Sequence, residues 1–166
     1  TLREALSYDA ESGELRWKED WWPKSTANRV AGHVASTKNG RTKYRRIEHR
    51  RKAFPAHRVA WLLYYGEWPK REIDHIDGDG LNNKIENLRL ADRRQNSFNR
   101  PKYKNNKSGF KGVQARACGR FYAHIGFEGK LIHIGTYLTA ESAARAYDEK
   151  ARELHGPFAR LNYPDP

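Results

Sequence analysis

The stretch Glu72-Ile-Asp-His-Ile-Asp-Gly-Asp-Gly80 carries more information about fold and chemistry than any other part of this chain. Its first residues are typical of a short strand, and the Asp-Gly pairs that follow are typical of a tight turn. A polar loop over Asn82–Asn87 leads to a second short strand, Leu88-Arg-Leu90. Asp92 can then cap a helix that runs to about Asn99. The pattern predicts strand, turn, strand and helix in immediate succession.

The same segment carries side chains suited to phosphodiester hydrolysis. That reaction needs a nucleophile made from water, placement of that water in line, and neutralisation of charge on the leaving oxygen. His75 in its neutral form can take a proton from water near pH 7. The Asp74 carboxylate, with an Asn oxygen from a later element, suits Mg²⁺, which prefers oxygen and keeps several waters.

Several pieces of this segment resemble the HNH motif of phage-type homing endonucleases. They are Asp74-His-Ile-Asp-Gly-Asp79, Asn82-Asn83, Glu86-Asn-Leu-Arg89 and Gln95-Asn96. Upstream, His57-Arg-Val-Ala-Trp61 and Tyr8-Asp-Ala-Glu-Ser-Gly-Glu-Leu-Arg-Trp17 are also similar to that family. The resemblance therefore covers most of residues 1–100.

The resemblance implies a ββα-metal fold and a role for each motif position. Asp74 and Asn96 would hold a divalent metal, His75 would be the general base, and Asn87 would brace the loop and the orientation of the base. Asp74 in place of a first His favours Mg²⁺, with Mn²⁺ as a second option, over Zn²⁺. The implied reaction is hydrolysis that leaves 5′-phosphate and 3′-hydroxyl ends.

Some assignments have alternatives that the sequence leaves open. Asn99 lies almost one turn beyond Asn96 and would be the ligand in a different helix register. Asp77 and Asp79 are weaker metal candidates, because they also serve as turn formers. His57 is interpreted as a packed or hydrogen-bonded helix residue. By charge alone, four arginines are candidates to clamp phosphates: Arg58, Arg89, Arg93 and Arg94.

After residue 108 the pattern changes to three short β segments and one helix. Thr139 can cap that helix, whose apolar positions recur at helical spacing, and Gly156-Pro157 ends it. The segments Ser108-Gly-Phe-Lys-Gly-Val113, Phe121-Tyr-Ala-His-Ile125 and Ala143-Ala-Arg-Ala-Tyr-Asp148 resemble the AP2 (ERF-type) DNA-binding domain. This resemblance implies a three-stranded antiparallel sheet packed on one helix, with the exposed sheet face in the major groove.

The matching positions on that face imply a set of base or phosphate contacts. They are Lys111, Gln114, Arg116, Arg120, His124 and His133. The sequence departs from the plant pattern, since Gln114 stands where Arg is usual, and His133 where Trp is common. We therefore expect a different target. Six residues are expected to form the core: Val113, Phe121, Ala123, Ile125, Ala144 and Tyr147. Gly112 is expected to permit a close approach or a bulge.

The composition of the chain limits the size of its core and the kind of partner it can bind. The chain has 166 residues, a net charge of +12 and 37% hydrophobic residues, and its mean hydropathy is −1.01. Two small modules fit better than one large core, and the charge favours a polyanionic partner. We expect domains at 1–100 (metal motif about 72–99) and 109–166, joined by a basic linker at 101–108. Cys118 is the only cysteine, and no membrane span or signal peptide is evident.

A basic cluster precedes the first apolar helix. Residues 31–56 show a broken β pattern with a turn at Lys38-Asn39-Gly40. This stretch carries a basic cluster that is opposed only by Glu48 and consists of Arg41, Lys43, Arg45, Arg46, Arg50, Arg51 and Lys52.

The sequence therefore predicts an α+β protein, an N-terminal ββα-metal nuclease domain followed by an AP2-like domain. We expect a metal-dependent endonuclease of double-stranded DNA that nicks as a monomer, although a dimer is not excluded. No other cofactor and no membrane are expected, and the expected place of action is intracellular, in the cytoplasm of a phage host. The alternative is a non-catalytic DNA-binding regulator on a degenerate nuclease fold. An RNA-binding protein is a third option, weakened by the lack of RNP-type aromatic runs.

Overall fold

The computed structural model describes residues 1–19, 27–37 and 42–164, which divide into two compact units. The first unit is Thr1–Arg93 and the second is Arg94–Pro166. Small antiparallel sheets combine with helices in both units, which confirms the predicted fold class. Within the described ranges, no helix is both long and apolar enough to cross a bilayer.

The first unit combines three small sheets with one helix of ten residues. In chain order its elements are α1 (Leu2–Ala5), β1 (Leu6–Tyr8), β2 (Leu15–Trp17), β3 (His33–Ser36), β4 (Lys43–His49), β5 (Lys52–Pro55), α2 (Ala56–Tyr65), β6 (Glu72–His75) and β7 (Leu88–Ala91). Strand β1 pairs with β2, β4 lies between β3 and β5, and β6 pairs with β7, all antiparallel.

Apolar side chains from every sheet meet α2 in one core. Leu6, Leu15, Ile47 and Val59 are among its fully buried members. Gly66 ends α2 in the left-handed region at φ 81°. The predicted turn at Lys38-Asn39-Gly40, together with Arg41, lies outside the described residues.

The second unit is a three-stranded sheet against one long helix. Its elements are most of α3 (Arg93–Phe98), β8 (Val113–Ala115), β9 (Phe121–Phe127), β10 (Lys130–Tyr137) and α4 (Ala140–His155). The strand order is β10-β9-β8. Thr139 caps α4, since its Oγ1 accepts the Ser142 N–H at 3.1 Å. All six expected core residues lie between sheet and helix, five buried and Phe121 half-buried.

Gly112 allows the chain to pass close to α4. Its φ is +73°, and a Cβ added there would fall on the Tyr147 ring. The expected close approach at this position is thus confirmed, and any other side chain would collide with a core aromatic.

Part of the expected linker belongs to the second unit. Asn106 Nδ2 donates to the carbonyls of Phe110 (2.8 Å) and Val113 (3.2 Å), and Ser108 Oγ donates to the Val113 carbonyl at 2.8 Å. Helix α3 also packs there from Arg94 onwards, because Phe98 stacks on His155 with ring centroids 3.7 Å apart. The boundary between the units lies at Arg93, earlier than residue 100, and the domain limits for function stay a prediction.

Candidate active site

The β6–β7 hairpin carries the Asp-His pair. Antiparallel pairing sets Asp74 opposite Arg89 and His75 opposite Leu88. Ile73 and Leu88 anchor the hairpin in the core of the first unit. Asp74 and His75 are themselves each 5% exposed. Buried polar side chains need partners, so the contacts of these two residues decide what they can do.

Arg89 neutralises the Asp74 carboxylate. Oδ2 of Asp74 accepts from Arg89 Nε at 2.9 Å and from Nη2 at 2.7 Å. From its charge alone, the sequence analysis predicts Arg89 only as a candidate for binding phosphate. The cross-strand position instead makes it the counter-ion of the predicted metal ligand, which offsets the cost of burying that charge.

Two further candidate clamps have partners inside the protein. The Arg58 guanidinium donates to the carbonyls of Arg71 (3.1 Å) and Pro69 (3.0 Å), which fixes the segment entering β6. Arg94 lies over the Phe127 ring at 4.7 Å. These contacts give the side chains of Arg58 and Arg94 structural roles that do not require a bound phosphate.

Asn83 holds the imidazole of His75. The distance from His75 Nε2 to Asn83 Oδ1 is 3.2 Å, and both side chains are buried. The Asn83 amide is oriented by its own Nδ2, which donates to the Leu81 carbonyl at 3.3 Å. An amide oxygen only accepts, so Nε2 carries the ring proton and Nδ1 keeps the lone pair. In this tautomer Nδ1 is the basic ring nitrogen.

His75 is neutral at pH 7. Burial lowers its pKa below the usual value and outweighs the opposing effects of the Asn83 hydrogen bond and of Asp77, Asp74 and Asp79. A neutral imidazole has the protonation state that a general base requires.

Two rings from other elements enclose His75. The centroid of His57 on α2 lies 5.1 Å away at an interplanar angle of 85°, and that of Tyr44 on β4 lies 5.9 Å away. Burial, followed by the charges of His75 and Arg58, lowers the pKa of His57 to about 3. His57 is thus a packed neutral ring, as interpreted from the sequence. A Cβ at Gly80 would lie 2.5 Å from the Tyr44 ring, so glycine there lets the loop close against it.

Asn87 and Asp77 build the loop between the strands. Asn87 Oδ1 accepts the Asp77 N–H at 3.0 Å, and Asn87 Nδ2 donates to Asp77 Oδ1 (3.0 Å) and the Asn82 carbonyl (2.8 Å). Asp77 Oδ2 accepts from Asn82 Nδ2 at 2.7 Å. These bonds place Asn87 as a loop brace, while the side-chain contact with the base is made by Asn83. Asp79 caps Leu81, so both alternative metal candidates act as turn formers.

The hairpin brings together Asp74, His75 and Asn87, whereas Asn96 lies on α3, whose contacts group with the second unit. Asn99 is buried on the same segment. Among the residues described, no three His, Cys, Asp or Glu side chains cluster as a metal site. The donors predicted from the sequence are one carboxylate and amide oxygens, a set that suits Mg²⁺ with retained water rather than a fully protein-ligated ion.

The exposed face of the second sheet gathers four of the predicted DNA contacts, which are Gln114, Arg116, His124 and His133. Register pairs His133 with His124, and Gln114 with Tyr122. Arg116 lies over the Tyr122 ring at 4.7 Å, and Tyr122 meets His133 edge-on at 5.5 Å. Tyr122 is a member of this face that the sequence analysis did not single out, because a half-buried aromatic in a strand is more often core.

Lys111 differs from the other predicted contacts. Its Nζ donates to the Phe98 carbonyl at 2.5 Å, and burial, the largest influence, lowers its pKa to about 8. The ammonium therefore satisfies the end of α3. Arg120, by contrast, is exposed.

Comparison of the sequence with known proteins also indicates a nuclease. The family model described as HNH endonuclease matches residues 54–98, from the end of β5 to α3. Protein 3.8 of Escherichia phage T7 is 39% identical over 112 residues, which are 66% of this chain and 92% of that protein. This chain belongs to the HNH endonuclease family.

Two further relatives match smaller shares of the chain. An uncharacterized HNH endonuclease of Acanthamoeba polyphaga mimivirus is 41% identical over 90 residues, 54% of this chain and 46% of that protein. Dehydration-responsive element-binding protein 2A of Arabidopsis thaliana is 44% identical over 62 residues, 36% of this chain and 18% of that protein. The chain spans less than half the length of either relative. Together they support an HNH domain followed by an AP2/ERF-like domain, as predicted.

Proposed function

We propose that this protein is a divalent-metal-dependent endonuclease that hydrolyses phosphodiester bonds of double-stranded DNA, and that one molecule nicks one strand. The observation that carries the proposal is the buried His75, whose Nε2 is held by Asn83 Oδ1 at 3.2 Å beside the Asp74 position. Asp74, one residue earlier on β6, carries the carboxylate that would complete the hydrolytic pair, and its charge acts on the pKa of His75.

In this mechanism His75 Nδ1 accepts the proton of the attacking water. Asn83 keeps the imidazole in the required tautomer, and the rings of His57 and Tyr44 limit its rotation. Asp74 and Asn96 would hold Mg²⁺, or Mn²⁺ in its place. When bound, the ion supplies positive charge that neutralises the scissile phosphate and the leaving oxygen.

The second unit supplies affinity for duplex DNA. Its exposed sheet face carries Gln114, Arg116, His124 and His133, and Arg120 immediately precedes β9. The net charge of +12 supports a polyanionic partner. We place the activity in the cytoplasm of a phage-infected host, in keeping with the relative from a phage.

The direct test is incubation of supercoiled plasmid with wild type and His75→Ala, each with Mg²⁺, Mn²⁺ or EDTA. Open-circle product from wild type alone, and only with metal, is expected; linear product would indicate paired active sites instead of a nicking monomer. DNA binding without cleavage, under every metal condition and on a plasmid carrying the phage's own genomic segments, would favour the non-catalytic regulator. Tighter binding to duplex RNA than to duplex DNA would overturn the choice of substrate.

A further inference from the structure

Tyr44 connects strand β4 with the candidate active site. Its ring centroid lies 5.9 Å from that of His75 and 5.7 Å from that of His57. Gly80, in the loop between β6 and β7, approaches the same ring so closely that a Cβ there would lie 2.5 Å from it. The part of β4 that carries Tyr44 therefore forms one side of the site around the proposed base.

Arg46 lies on the same face of the sheet as Tyr44. Successive side chains of a strand point to opposite faces, so residues two apart share a face and lie about 7 Å apart along the strand. The register places Arg46 between His33 on β3 and Pro55 on β5. Pro55 is the last residue before α2, the helix that carries His57. Arg46 is therefore a close neighbour of the active site, although the sequence separates them.

The two adjacent arginines of β4 differ in their surroundings. Arg45 is half-buried, and its guanidinium donates to the Gly32 carbonyl at 3.1 Å. It shares its face with Ile47, a member of the core. Arg46 points to the other face and is exposed to solvent. Its guanidinium thus presents, beside Tyr44, a planar set of donors that matches the oxygens of a phosphate.

Two other arginines of the active-site region already have contacts within the protein. Arg89 neutralises Asp74, and Arg58 donates to backbone carbonyls of the segment that enters β6. A DNA strand whose scissile phosphate lies at His75 carries a further phosphate one nucleotide to either side. Cationic side chains that bind such phosphates fix the register of a protein on the duplex.

We infer that Arg46 is a substrate-binding residue of the nuclease site, where its guanidinium binds the DNA phosphate next to the scissile one. The strand register carries this inference, because it places an exposed cation beside Tyr44, whose ring packs near His75. The inference rests on the proposed function and deepens it by assigning a contact to one phosphate of the substrate. Glu48 lies two residues further along the same face, where its charge opposes the approach of a phosphate.

The test combines Arg46→Gln with duplexes that lack a single negative charge. Cleavage by wild type in Mg²⁺ first maps a nicking site, and the two linkages that flank it are then replaced, one at a time, with neutral methylphosphonates. Fluorescence anisotropy in EDTA measures binding. One of the two replacements should weaken binding by wild type roughly tenfold and should weaken binding by Arg46→Gln no further, because that contact is already lost.

On unmodified DNA, Arg46→Gln should itself bind roughly tenfold more weakly than wild type. The slope of log K against log salt should fall by about 1, as expected for one lost phosphate contact. The Tm should stay within about 3 °C of that of wild type, because the side chain is exposed.

Three further variants separate this contact from charge in general. Lys52 pairs with His49 and lies on the opposite face of the sheet, so Lys52→Gln should remain sensitive to the same methylphosphonate. Arg46→Lys should keep most of the salt slope but lose part of the affinity, since lysine binds phosphate as a point charge. Glu48→Gln should bind about twofold more tightly than wild type, because a repulsive charge is removed.

Equal sensitivity of wild type and Arg46→Gln to both methylphosphonates would overturn the inference. It would also be overturned if Lys52→Gln lost its sensitivity to the same extent as Arg46→Gln. Absence of cleavage by wild type would overturn the proposed function, and the inference with it. The two failures are distinguishable, because wild type still cleaves when the inference alone is wrong.

Discussion

At the scale of single residues, Asn83 is the side chain that holds His75, the proposed base. Its Oδ1 meets His75 Nε2 at 3.2 Å, and its backbone carbonyl accepts from the Tyr8 hydroxyl at 2.7 Å. Strand β1 thus holds Asn83 in place, and Asn83 in turn holds His75. In the sequence Asn83 is one of several Asn in a polar loop, and nothing in the spacing distinguishes it from Asn82.

Asn83→Ala should lower kcat for DNA cleavage by about tenfold to a hundredfold with little change in KM, because the imidazole loses its orientation but no DNA contact is lost. Asn83→Asp retains an accepting oxygen and should recover most of kcat at neutral pH. Steady-state kinetics with each variant checks this, with Tm as the folding control. Equal kcat values for the Ala and Asp variants would contradict a positioning role.

His57 should make stability depend on pH. Its pKa is about 3 in the folded protein and 6.5 by its ordinary value, because burial opposes the charged form. Between these values the unfolded chain binds the proton and the folded protein does not. Stability is therefore full above about pH 6.5 and falls as pH decreases towards 3, by up to about 1.4 kcal/mol per pH unit for this group.

His57→Phe removes the titrating group and keeps a ring beside His75. The free energy of unfolding of this variant should therefore fall less steeply than that of wild type between pH 6.5 and 4. Urea unfolding at several pH values measures the difference. Other buried histidines contribute to the wild-type curve, so the comparison uses the difference between the two curves; parallel curves would show that His57 is not protonated on unfolding.

At the scale of elements, the β6–β7 hairpin pairs Asp74, the proposed metal ligand, with the cation Arg89 on the opposite strand. The side chains of Asp74 and Arg89 are 6% and 18% exposed, and their N–O distance is 2.7 Å. A pair this buried costs more when broken than a surface pair, since one charge is left without compensation.

Arg89→Ala should lower the free energy of unfolding by about 3 kcal/mol in EDTA, because the buried Asp74 carboxylate loses its cation. Mg²⁺ should raise the Tm of this variant more than that of wild type, since a divalent cation at Asp74 replaces the missing charge. Thermal melts with Mg²⁺ and with EDTA measure both effects, and Arg89→Lys is the charge-preserving control. Identical melts of Arg89→Ala with and without Mg²⁺ would argue that Asp74 does not bind the ion.

At the scale of the whole molecule, the two units carry separable properties. We expect Arg116→Ala with Arg120→Ala to weaken DNA binding and reduce the salt slope by up to about 2. The single-turnover cleavage rate at saturating DNA should stay within about twofold of wild type, because the β6–β7 hairpin is untouched.

His75→Ala should give the opposite result, with affinity retained and the cleavage rate lost. Anisotropy and single-turnover assays on the same duplex compare the two variants. A reduced cleavage rate in the arginine variant at saturating DNA would indicate that the second unit also takes part in the chemical step.

The sequence by itself determined the order of the elements, the position of the Asp-His pair on a strand, and the sheet-and-helix plan of the second unit. These follow from local signals: Asp-Gly turns, the Thr139 cap, the Gly66 and Gly156 stops, and apolar spacing on α4. The β4–β5 turn was not predicted, because Arg50-Arg51 carries no turn signal and its backbone is imposed by the pairing of the two strands.

Only the tertiary structure decided which side chains meet. Asn83 instead of Asn82 contacts the base, Arg89 pairs with Asp74 across the hairpin, and the rings of Tyr44 and His57 arrive from a separate sheet and helix. Lys111 donates a hydrogen bond to the Phe98 carbonyl at the end of α3. Most of α3 belongs to the second unit. The physical reason is that these contacts join residues far apart in the chain. Periodicity and spacing report which face a residue occupies, whereas its partner depends on how separate elements pack.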